Sequence, residues 1–231
     1  MNTHTYYTAV GHFRRKSNGL GQSYPVVIIN QREYIVDIQE MALWTALSWR
    51  LLEFPQIRAE YDKLDHDCAI PARRTMEDCL GRLCTRGLVA CGTGETDFEA
   101  LYDLLGGLYV SPLSESLPLR LAAFLKLTLL KGVPISKARE LFQEDQPSED
   151  EAQVMVLSRQ ALLSTAELIK CAEVGARDIS TDEKLMDALY DDEYTTSDNI
   201  PDMMLTAQNR ERITAAVANL YLRKQIIFQR V

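Results

Sequence analysis

The chain has 231 residues, a formal charge of −8 at neutral pH, and 46% hydrophobic and 25% charged residues. These values predict an ordinary globular protein with one large domain or two small ones. They exclude a membrane span, because no run of about eighteen apolar residues occurs. The N-terminus has no basic stretch followed by an apolar one, so no secretory signal is expected. Five cysteines without a CxxC pair suit a reducing compartment, which predicts a cytoplasmic location.

The charge is unevenly distributed along the chain. Residues 1–92 contain eleven Lys or Arg and ten Asp or Glu, a net of +1, whereas residues 93–231 contain fourteen and twenty-three, a net of −9. Such asymmetry is expected of a module that meets a polyanion and is joined to an acidic companion. Chance and solubility produce the same pattern, so the charges alone do not decide the function.

The N-terminal part predicts strands followed by helices. "YYTAV" favours a strand, "RRKSNGLGQS" a basic loop, and "VVIINQREYIVD" a β-hairpin that turns at Asn30–Glu33. The capping-box pattern Asp37-x-x-Glu40 then predicts the start of a helix. Pro55 favours the start of a second helix, because proline suits the first turn.

The third predicted helix lies in "IPARRTMEDCLGRLCTRGLV", where Pro71 suits the first turn and Gly87 the position after the last turn. Placing side chains 100° apart separates an apolar stripe from a polar face. The stripe contains Met76, Leu80, Leu83 and Cys84. The polar face contains Arg74, Thr75, Asp78, Arg82, Thr85 and Arg86. Leu88–Cys91 predicts a strand, with Leu108–Ser111 as its partner and the short helix "ETDFEALYDLL" between them.

The stretch "RRTMEDCLGRLCTRGLV" resembles the third helix of many bacterial winged-helix regulators, where a polar start, spaced leucines and a terminal Arg-Gly-Leu-Val lead into the wing. The resemblance is at superfamily level and covers about residues 25–112. It implies a winged helix-turn-helix with a small β-sheet, here with a helix inside the wing. The expected fold class is α+β, mostly α. The expected domains are a winged-helix domain over residues 1–112 and an all-helical dimerisation or effector domain over residues 113–231.

Helices are predicted throughout that second domain, and no internal repeat is visible in the sequence. "LRLAAFLKLTLLKG" and "KARELFQED" each favour a helix, Ser148-x-x-Glu151 begins a long helix that ends near Gly175, and Ser180-x-x-Glu183 begins another. A helix of about twenty-five residues spans roughly 37 Å, so it is interpreted as a two-fold dimer seam or as a helix buried in a bundle. A second dimer candidate is the last helix and its continuation, with Leu220, Tyr221, Ile226, Ile227 and Phe228.

The arginines of the third helix predict a surface that binds double-stranded DNA, since arginine reaches both phosphates and base edges. The candidate contacts are Arg73, Arg74, Thr75, Arg82 and Arg86, with Arg14, Arg15 and Lys16 adding phosphate contacts from the N-terminal loop. Two observations oppose this hypothesis. Asp78 lies in the middle of the face, and the wing position carries only acidic charges, at Glu95, Asp97, Glu99 and Asp103. A structural alternative is that Arg74, Asp78 and Arg82 form exposed ion pairs within the helix.

A rival hypothesis is a winged-helix module that recognises a peptide or protein and does not bind DNA. An extended partner would add a strand to the edge supplied by "YPVVIINQREYIVD", where unpaired backbone groups give affinity. This requires that neither the N-terminal strand nor the second domain covers that edge.

Neither metal chemistry nor catalysis is predicted, and no cofactor is expected. A cluster of Cys79, Cys84 and Cys91 near His66 and Cys68 is disfavoured, because Cys79 and Cys84 point about 140° apart on an ideal helix. His4, His12 and His66 fall in no spaced motif, and "GTGETD" lacks the lysine of a phosphate loop. The acids Asp191, Asp192 and Glu193 are expected to stay solvated. The leading hypothesis is therefore a dimeric DNA-binding transcription regulator, and the alternative is the peptide- or protein-recognition module.

Overall fold

The computed structural model describes residues 3–19, 22–65, 74–113 and 147–231, which form a mixed α+β protein with small antiparallel sheets. The strands are β1 (His4–Ala9), β2 (His12–Ser17), β3 (Ser23–Ile29), β4 (Arg32–Ile35), β5 (Leu52–Glu53), β6 (Val89–Gly94), β7 (Tyr109–Pro112), β8 (Leu163–Ser164) and β9 (Ile226–Gln229). The helices are α1 (Ile38–Leu47), α2 (Phe54–Asp65), α3 (Met76–Thr85), α4 (Asp97–Leu105), α5 (Glu149–Gln160), α6 (Thr165–Glu173), α7 (Asp182–Leu189), α8 (Ile200–Met203) and α9 (Arg210–Leu222). Among these helices none has the length and apolar character needed to cross a membrane.

Each sheet has three strands, and their orders are β5-β1-β6, β2-β3-β4 and β8-β7-β9. β6 therefore pairs with β1, and β7 pairs with β8 and β9. The predicted pairing of Leu108–Ser111 with Leu88–Cys91 is wrong, because each segment has its partners in a different sheet. The helix predicted inside a wing is present as α4, but it connects two sheets.

The predicted β-hairpin is confirmed, with a tighter turn than expected. Asn30 and Gln31 form the turn, with φ of 44° and 64°. Positive φ at both residues is the conformation required by one common type of two-residue hairpin turn. Arg32 and Glu33, predicted in the turn, belong to β4. The predicted basic loop is also corrected, because Arg14–Lys16 belong to β2 and pair with β3. Strands at sheet edges often carry charges, and this hid β2 from the hydrophobic pattern.

Two of the sheets are built by the same order of elements. β1, α1, β5, α2, α3 and β6 form what we call the N-terminal repeat (residues 4–94), and β7, α5, β8, α6, α9 and β9 form the C-terminal repeat (residues 109–229). In both repeats the first strand is central. It pairs on one side with the two-residue strand between the first two helices, and on the other with the strand after the third helix. The sequence shows no repeat, but the backbone path is duplicated.

The strand register is also the same in the two repeats. In the N-terminal repeat, Tyr7 of the central strand lies opposite Leu52 on one side and Cys91 on the other. In the C-terminal repeat, Val110 of the central strand lies opposite Leu163 and Phe228 in the same way. In each, the second helix begins directly after the two-residue strand. The correspondence therefore holds at the level of single residues.

A buried glutamate joins the first and third helices of each repeat. Glu40 and Glu151 complete the capping boxes that begin α1 and α5, and their relative exposures are 1% and 2%. The arginine that caps the end of the third helix donates to this glutamate in both cases. The distances are 3.0 Å from Arg86 Nη1 to Glu40 Oε2 and 3.1 Å from Arg223 Nη1 to Glu151 Oε2. A capping box thus also fixes where the third helix ends.

The residue after each of these arginines adopts a left-handed conformation, with φ of 71° at Gly87 and 60° at Lys224. In each repeat the amide of this left-handed residue and the amide of the next residue donate to carbonyl oxygens of the third helix, at 2.8–2.9 Å. This is the Schellman arrangement that satisfies the last carbonyls of a helix. The predicted role of Gly87 at the end of the third helix is confirmed, and the C-terminal repeat achieves the same turn with a lysine.

Tyr221 of α9 links the two repeats. Its hydroxyl lies 2.9 Å from Thr8 Oγ1, 2.9 Å from the amide nitrogen of Trp49 and 3.2 Å from the carbonyl oxygen of Ala9. Its ring packs against Phe228 with 4.4 Å between ring centroids. Buried apolar side chains from both repeats belong to one continuous core. The predicted division at residues 112 and 113 stays a prediction about domains, but β7 pairs with strands that lie beyond it.

The single long helix predicted from residue 149 to Gly175 is wrong. α5 ends at Gln160, β8 follows, and a second capping box begins α6. Ser164 Oγ accepts from the Glu167 amide at 3.2 Å, and Glu167 Oε2 accepts from the Ser164 amide at 2.6 Å. Because the region holds β8 and β9, residues 113–231 are not all-helical. The predicted 37 Å helix is interrupted after Gln160, so it does not support dimerisation, which stays a prediction.

Several other expectations are settled by position. The second dimer candidate is buried within the chain, since the exposures of Leu220, Tyr221, Ile226, Ile227 and Phe228 do not exceed 7%. The helix predicted to start at Ser180 is capped one residue later, by Thr181. Pro71, "LRLAAFLKLTLLKG" and "KARELFQED" lie outside the described residues.

Candidate functional site

α3 begins at a polar cap and buries the predicted apolar stripe. Thr75 Oγ1 accepts from the Asp78 amide at 3.1 Å, which starts the helix at Met76. Met76, Leu80 and Leu83 are buried, and Cys84 is half-buried. Thr75, a predicted DNA contact, therefore acts as the helix cap, and its side-chain oxygen is occupied by the backbone.

The described arginines of the third helix converge on α1. Arg82 Nε lies 2.7 Å from Glu40 Oε1, beside the Arg86 contact to the same carboxylate. Arg86 Nη2 also donates to the carbonyl oxygen of Ile35 at 2.5 Å. Arg74 pairs with Asp37 and lies 3.8 Å from Glu40 Oε1. These ion pairs join two helices, so the alternative of pairs within α3 is wrong. Arg73 lies outside the described residues.

Charge favours the ion pairs between these arginines and the carboxylates of Asp37 and Glu40, and the burial of Glu40 makes them costly to break. Burial acts to raise the pKa of Asp37, but hydrogen bonds from the Glu40 amide and the Arg74 guanidinium outweigh it and hold that pKa below its ordinary value. Glu40 is buried with 2% of its side chain exposed. A phosphate that captured Arg82 and Arg86 would leave a buried carboxylate unpaired, which costs several kcal/mol. DNA binding by these arginines therefore has an internal competitor.

The remaining polar side chains of α3 add negative charge to the same surface. Glu77 pairs with Arg58 of α2, and Asp78 is exposed. In the neighbouring connection, Glu99 completes a capping box with Thr96, and Asp103 accepts from the Thr93 amide at 2.7 Å. Glu99 and Asp103 serve local backbone groups, whereas Glu77 and Asp78 reduce the positive charge of the third-helix face.

The β2–β3–β4 sheet offers a different kind of surface. The stretch "YPVVIINQREYIVD", predicted to supply an edge, contains both the central strand β3 and the edge strand β4. Among the described residues β2 pairs with β3 alone, over six residues, and its other side is an open edge. β4 has four residues, and its Ile35 carbonyl is already bound by Arg86. Within the described ranges, β2 is therefore the longer of the two edges and the one without such a contact.

β2 is also basic. Arg14 and Arg15 are exposed, and neither forms an ion pair with another described residue. Lys16 Nζ is paired with Glu33 Oε2 at 2.6 Å across β3. Burial, and then the charge of Arg14, lower the pKa of His12 below its ordinary value. Because neighbouring strand residues face opposite sides, Arg14 and Arg15 place a cation on each face of the edge.

A third cluster joins β1, β5 and the start of α4. His4 Nδ1 lies 2.8 Å from Asp97 Oδ1 and 3.6 Å from Glu53 Oε1. Tyr6 donates its hydroxyl to Asp97 Oδ1 at 2.8 Å. A groove of about 440 Å³ begins here and is lined by Tyr6, Leu51, Asp97, Phe98 and Leu101. The sequence signalled none of this, because residues 4, 53 and 97 belong to three separate elements.

Two buried cysteines and the acid Asp192 act as structural groups, whereas Cys91 is exposed. Cys79 and Cys171 are buried, and burial raises the pKa of Cys84 to about 11 and of Cys171 to about 12. Within the described residues no cysteine belongs to a candidate metal group, while His66 and Cys68 lie outside them. Asp192 is exposed, yet it accepts from Lys170 Nζ at 3.0 Å, and hydrogen bonds from Thr195 and Lys170 lower its pKa.

Comparison of the chain with models of known protein families, with curated proteins and with solved structures gives no match in any of the three. Function is therefore argued from the surfaces themselves. Of the predicted contacts, Arg74, Arg82 and Arg86 come together around Glu40, whereas Arg14, Arg15 and Lys16 lie on a separate sheet.

Proposed function

We propose that the chain is a non-enzymatic recognition protein that binds an acidic, extended segment of a protein partner along the outer edge of β2. Within this proposal each repeat is a winged helix. The strand after the third helix pairs with the first strand of the repeat, which takes the place of the second strand of a wing. The location is cytoplasmic, consistent with the free thiols of Cys79, Cys84, Cys91 and Cys171. One observation carries the proposal: within the part of the chain that the structure describes, Arg14 and Arg15 have no ion-pair partner and lie on an open strand edge, whereas the described third-helix arginines are held by α1.

Strand addition explains how such an edge binds. An added strand pairs with the outward-facing backbone groups of alternate residues, which supplies affinity without regard to sequence. Neighbouring carboxylates of the partner point to opposite faces, so they can meet the guanidinium groups on either face, and arginine binds carboxylates through two parallel hydrogen bonds. Phe13, 44% exposed, offers an apolar contact on the Arg15 side.

The test uses a fluorescein-labelled ten-residue peptide in which pairs of valine alternate with pairs of glutamate, beginning and ending with valine, so that both faces of the added strand carry carboxylates. Binding is measured by fluorescence anisotropy. The double variant Arg14→Glu/Arg15→Glu should weaken binding at least tenfold, because it replaces two attractions with two repulsions. The charge-matched control is Arg159→Glu/Arg177→Glu, at exposed positions of the C-terminal repeat, and it should bind as the natural chain does. Equal weakening in both variants would show that only net charge matters, and would overturn the site.

A second peptide separates strand pairing from electrostatic attraction. It keeps every glutamate but replaces the two central valines with proline, which cannot donate a backbone hydrogen bond. We expect it to lose most of its affinity at unchanged charge. If it binds as tightly as the first peptide, the partner does not add as a strand and the proposed geometry is wrong.

Double-stranded DNA is the second candidate partner, with the third helix as the contact surface of a transcription regulator. The observation that favours it is that the side chains of Arg74 and Arg82 keep 39% and 53% of their exposure despite their ion pairs. A salt titration with mixed-sequence duplex DNA tests this, since neutralised phosphates make affinity fall steeply with salt. Because removing Arg82 alone takes one of two arginine partners from the buried Glu40 carboxylate, the variant to use is Glu40→Gln/Arg82→Gln. Absence of binding at low salt rules this candidate out.

A further inference from the structure

A histidine and two carboxylates meet at the end of the β5–β1–β6 sheet. His4 comes from β1, Glu53 from β5, and Asp97 from the first turn of α4, and one possible ligand atom of each lies within 4.8 Å of the others. His4 and Glu53 are half-buried and Asp97 is exposed. Strands and a helix hold these groups, and sites built on such elements are more rigid than sites on loops.

The separations suit an ion coordinated by all three groups. Two ligands that bind one tetrahedral zinc ion at about 2.0–2.1 Å lie about 3.3 Å from each other. The distances from His4 Nδ1 to the Asp97 and Glu53 oxygens, 2.8 Å and 3.6 Å, fall on either side of that value. Imidazole nitrogen together with carboxylate oxygen is a donor set that zinc and similar divalent metals accept.

Tyr6 provides the outer contact that metal-binding carboxylates usually have. Its hydroxyl donates to Asp97 Oδ1 and fixes the orientation of that carboxylate. A plain ion pair between His4 and Asp97 would not require Glu53 to converge on the same nitrogen.

We propose that His4, Glu53 and Asp97 form a binding site for a divalent transition-metal ion of the zinc class. With three protein ligands, the ion keeps at least one coordination position for water or an external ligand. Asp97 and Tyr6 also line the groove of about 440 Å³, whose other lining residues are Leu51, Phe98 and Leu101. An external ligand with a metal-binding polar group and an apolar body matches that combination. The site is independent of the β2 edge, so either proposal can fail alone.

The test is a titration of the full chain with Zn²⁺ against a chromophoric chelator at pH 7.5, together with Co²⁺ absorption spectroscopy. We expect one equivalent to bind with at least micromolar affinity. His4→Ala, Glu53→Gln and Asp97→Asn should each weaken binding at least tenfold. The matched controls are His12→Ala, a histidine on another sheet, and Glu95→Gln, an exposed carboxylate two residues before Asp97. Both controls should bind as the natural chain does.

Three outcomes would overturn the proposal. The first is no binding at millimolar Zn²⁺. The second is binding that depends on His4 but survives both Glu53→Gln and Asp97→Asn, which would place the ion on the histidine alone. The third is an intense sulfur-to-cobalt charge-transfer band, which would place it on cysteine. Thermal unfolding gives a second readout, because an ion that binds only the folded state raises Tm in the natural chain and not in the ligand variants.

Discussion

The N-terminal and C-terminal repeats share a scaffold and differ in what is attached to it. Both contain a central strand, a capping-box glutamate that binds the C-cap arginine of the third helix, and a left-handed residue after that arginine. The N-terminal repeat adds the β2–β3–β4 sheet between its first strand and first helix. The C-terminal repeat adds α7 and α8 between its second and third helices.

This difference separates scaffold residues from candidates for function. Arg86 has a counterpart in Arg223, which makes the same contact in a repeat where no DNA binding was predicted, so its role is to hold the helices together. Arg82 corresponds to Asn219 and Arg74 to Glu211, which cannot replace them as cations. Arg14 and Arg15 lie on a sheet that, among the described residues, is seen in the N-terminal repeat alone. Features present in one repeat are therefore the better guide to binding.

The largest effect is expected from removing the buried glutamates. Glu40→Ala should lower the free energy of unfolding by about 3 kcal/mol and Glu151→Ala by about 2 kcal/mol, since each leaves arginines and a helix cap without their partner. Glu40 binds both Arg82 and Arg86, whereas Glu151 binds Arg223. Urea denaturation of the two variants measures the ranking. A larger loss at Glu151 would contradict the comparison.

The next effect concerns the contact between the repeats. Tyr221→Phe removes the hydroxyl that lies between Thr8, the Trp49 amide and the Ala9 carbonyl. It should lower the free energy of unfolding by about 2 kcal/mol, because buried polar groups lose a partner. The corresponding position in the N-terminal repeat is Cys84. Cys84→Ser keeps the size and should cost much less, and equal Tm losses in the two variants would mean that Tyr221 has no linking role.

A smaller effect is expected at the two left-handed residues. Gly87→Lys should cost about 1 kcal/mol, because a side chain disfavours positive φ. The reverse change, Lys224→Gly, relieves that strain but should raise the free energy of unfolding by less, about 0.5 kcal/mol or below. The unfolded chain becomes more flexible, and the contact between Lys224 Nζ and the Trp49 ring, 5.7 Å from its centroid, is lost. Thermal unfolding of both variants gives the signs, and matching signs would argue against equivalent turns.

The smallest effect is a pH dependence that comes from His12, on the sheet added to the N-terminal repeat. Burial and Arg14 depress the pKa of His12 in the folded state, so its neutral form is favoured there. Its contribution to stability is complete above the unfolded pKa of about 6.5 and is lost as pH falls through the lower folded value. Comparing the natural chain with His12→Gln by urea denaturation between pH 7.5 and 5 should reveal a small difference that grows as pH falls. A difference that shrinks would reverse the assigned sign.

Local patterns predicted the local structure well. The capping box at Asp37 and Glu40, the helix end at Gly87 and the hairpin before Asp37 are present, because each depends on neighbours within a few residues. The patterns failed where a charged strand such as β2 lacked apolar alternation. They also failed where continuous helical periodicity ran past Ser164, whose side chain begins a new helix.

The candidate sites were harder to predict, because their partners are remote in sequence. Residue type identified Arg74, Arg82 and Arg86 as candidates for binding phosphate, but the carboxylates that hold them lie about forty residues earlier, at Asp37 and Glu40. Arg14 and Arg15 were identified with the correct charge but as a loop. His4 drew attention only as a histidine outside any motif.

By itself the sequence determined the mixed α+β class, the caps that begin and end several helices, and the residues able to carry charge on a surface. These follow from backbone hydrogen bonding and side-chain periodicity within single segments. Only the tertiary structure decided which strands pair, that the backbone path of residues 4–94 recurs in residues 109–229, and which arginines are already neutralised. Strand partners and ion pairs join residues far apart in the chain, and the free energy of burying them together is a property of the packed fold.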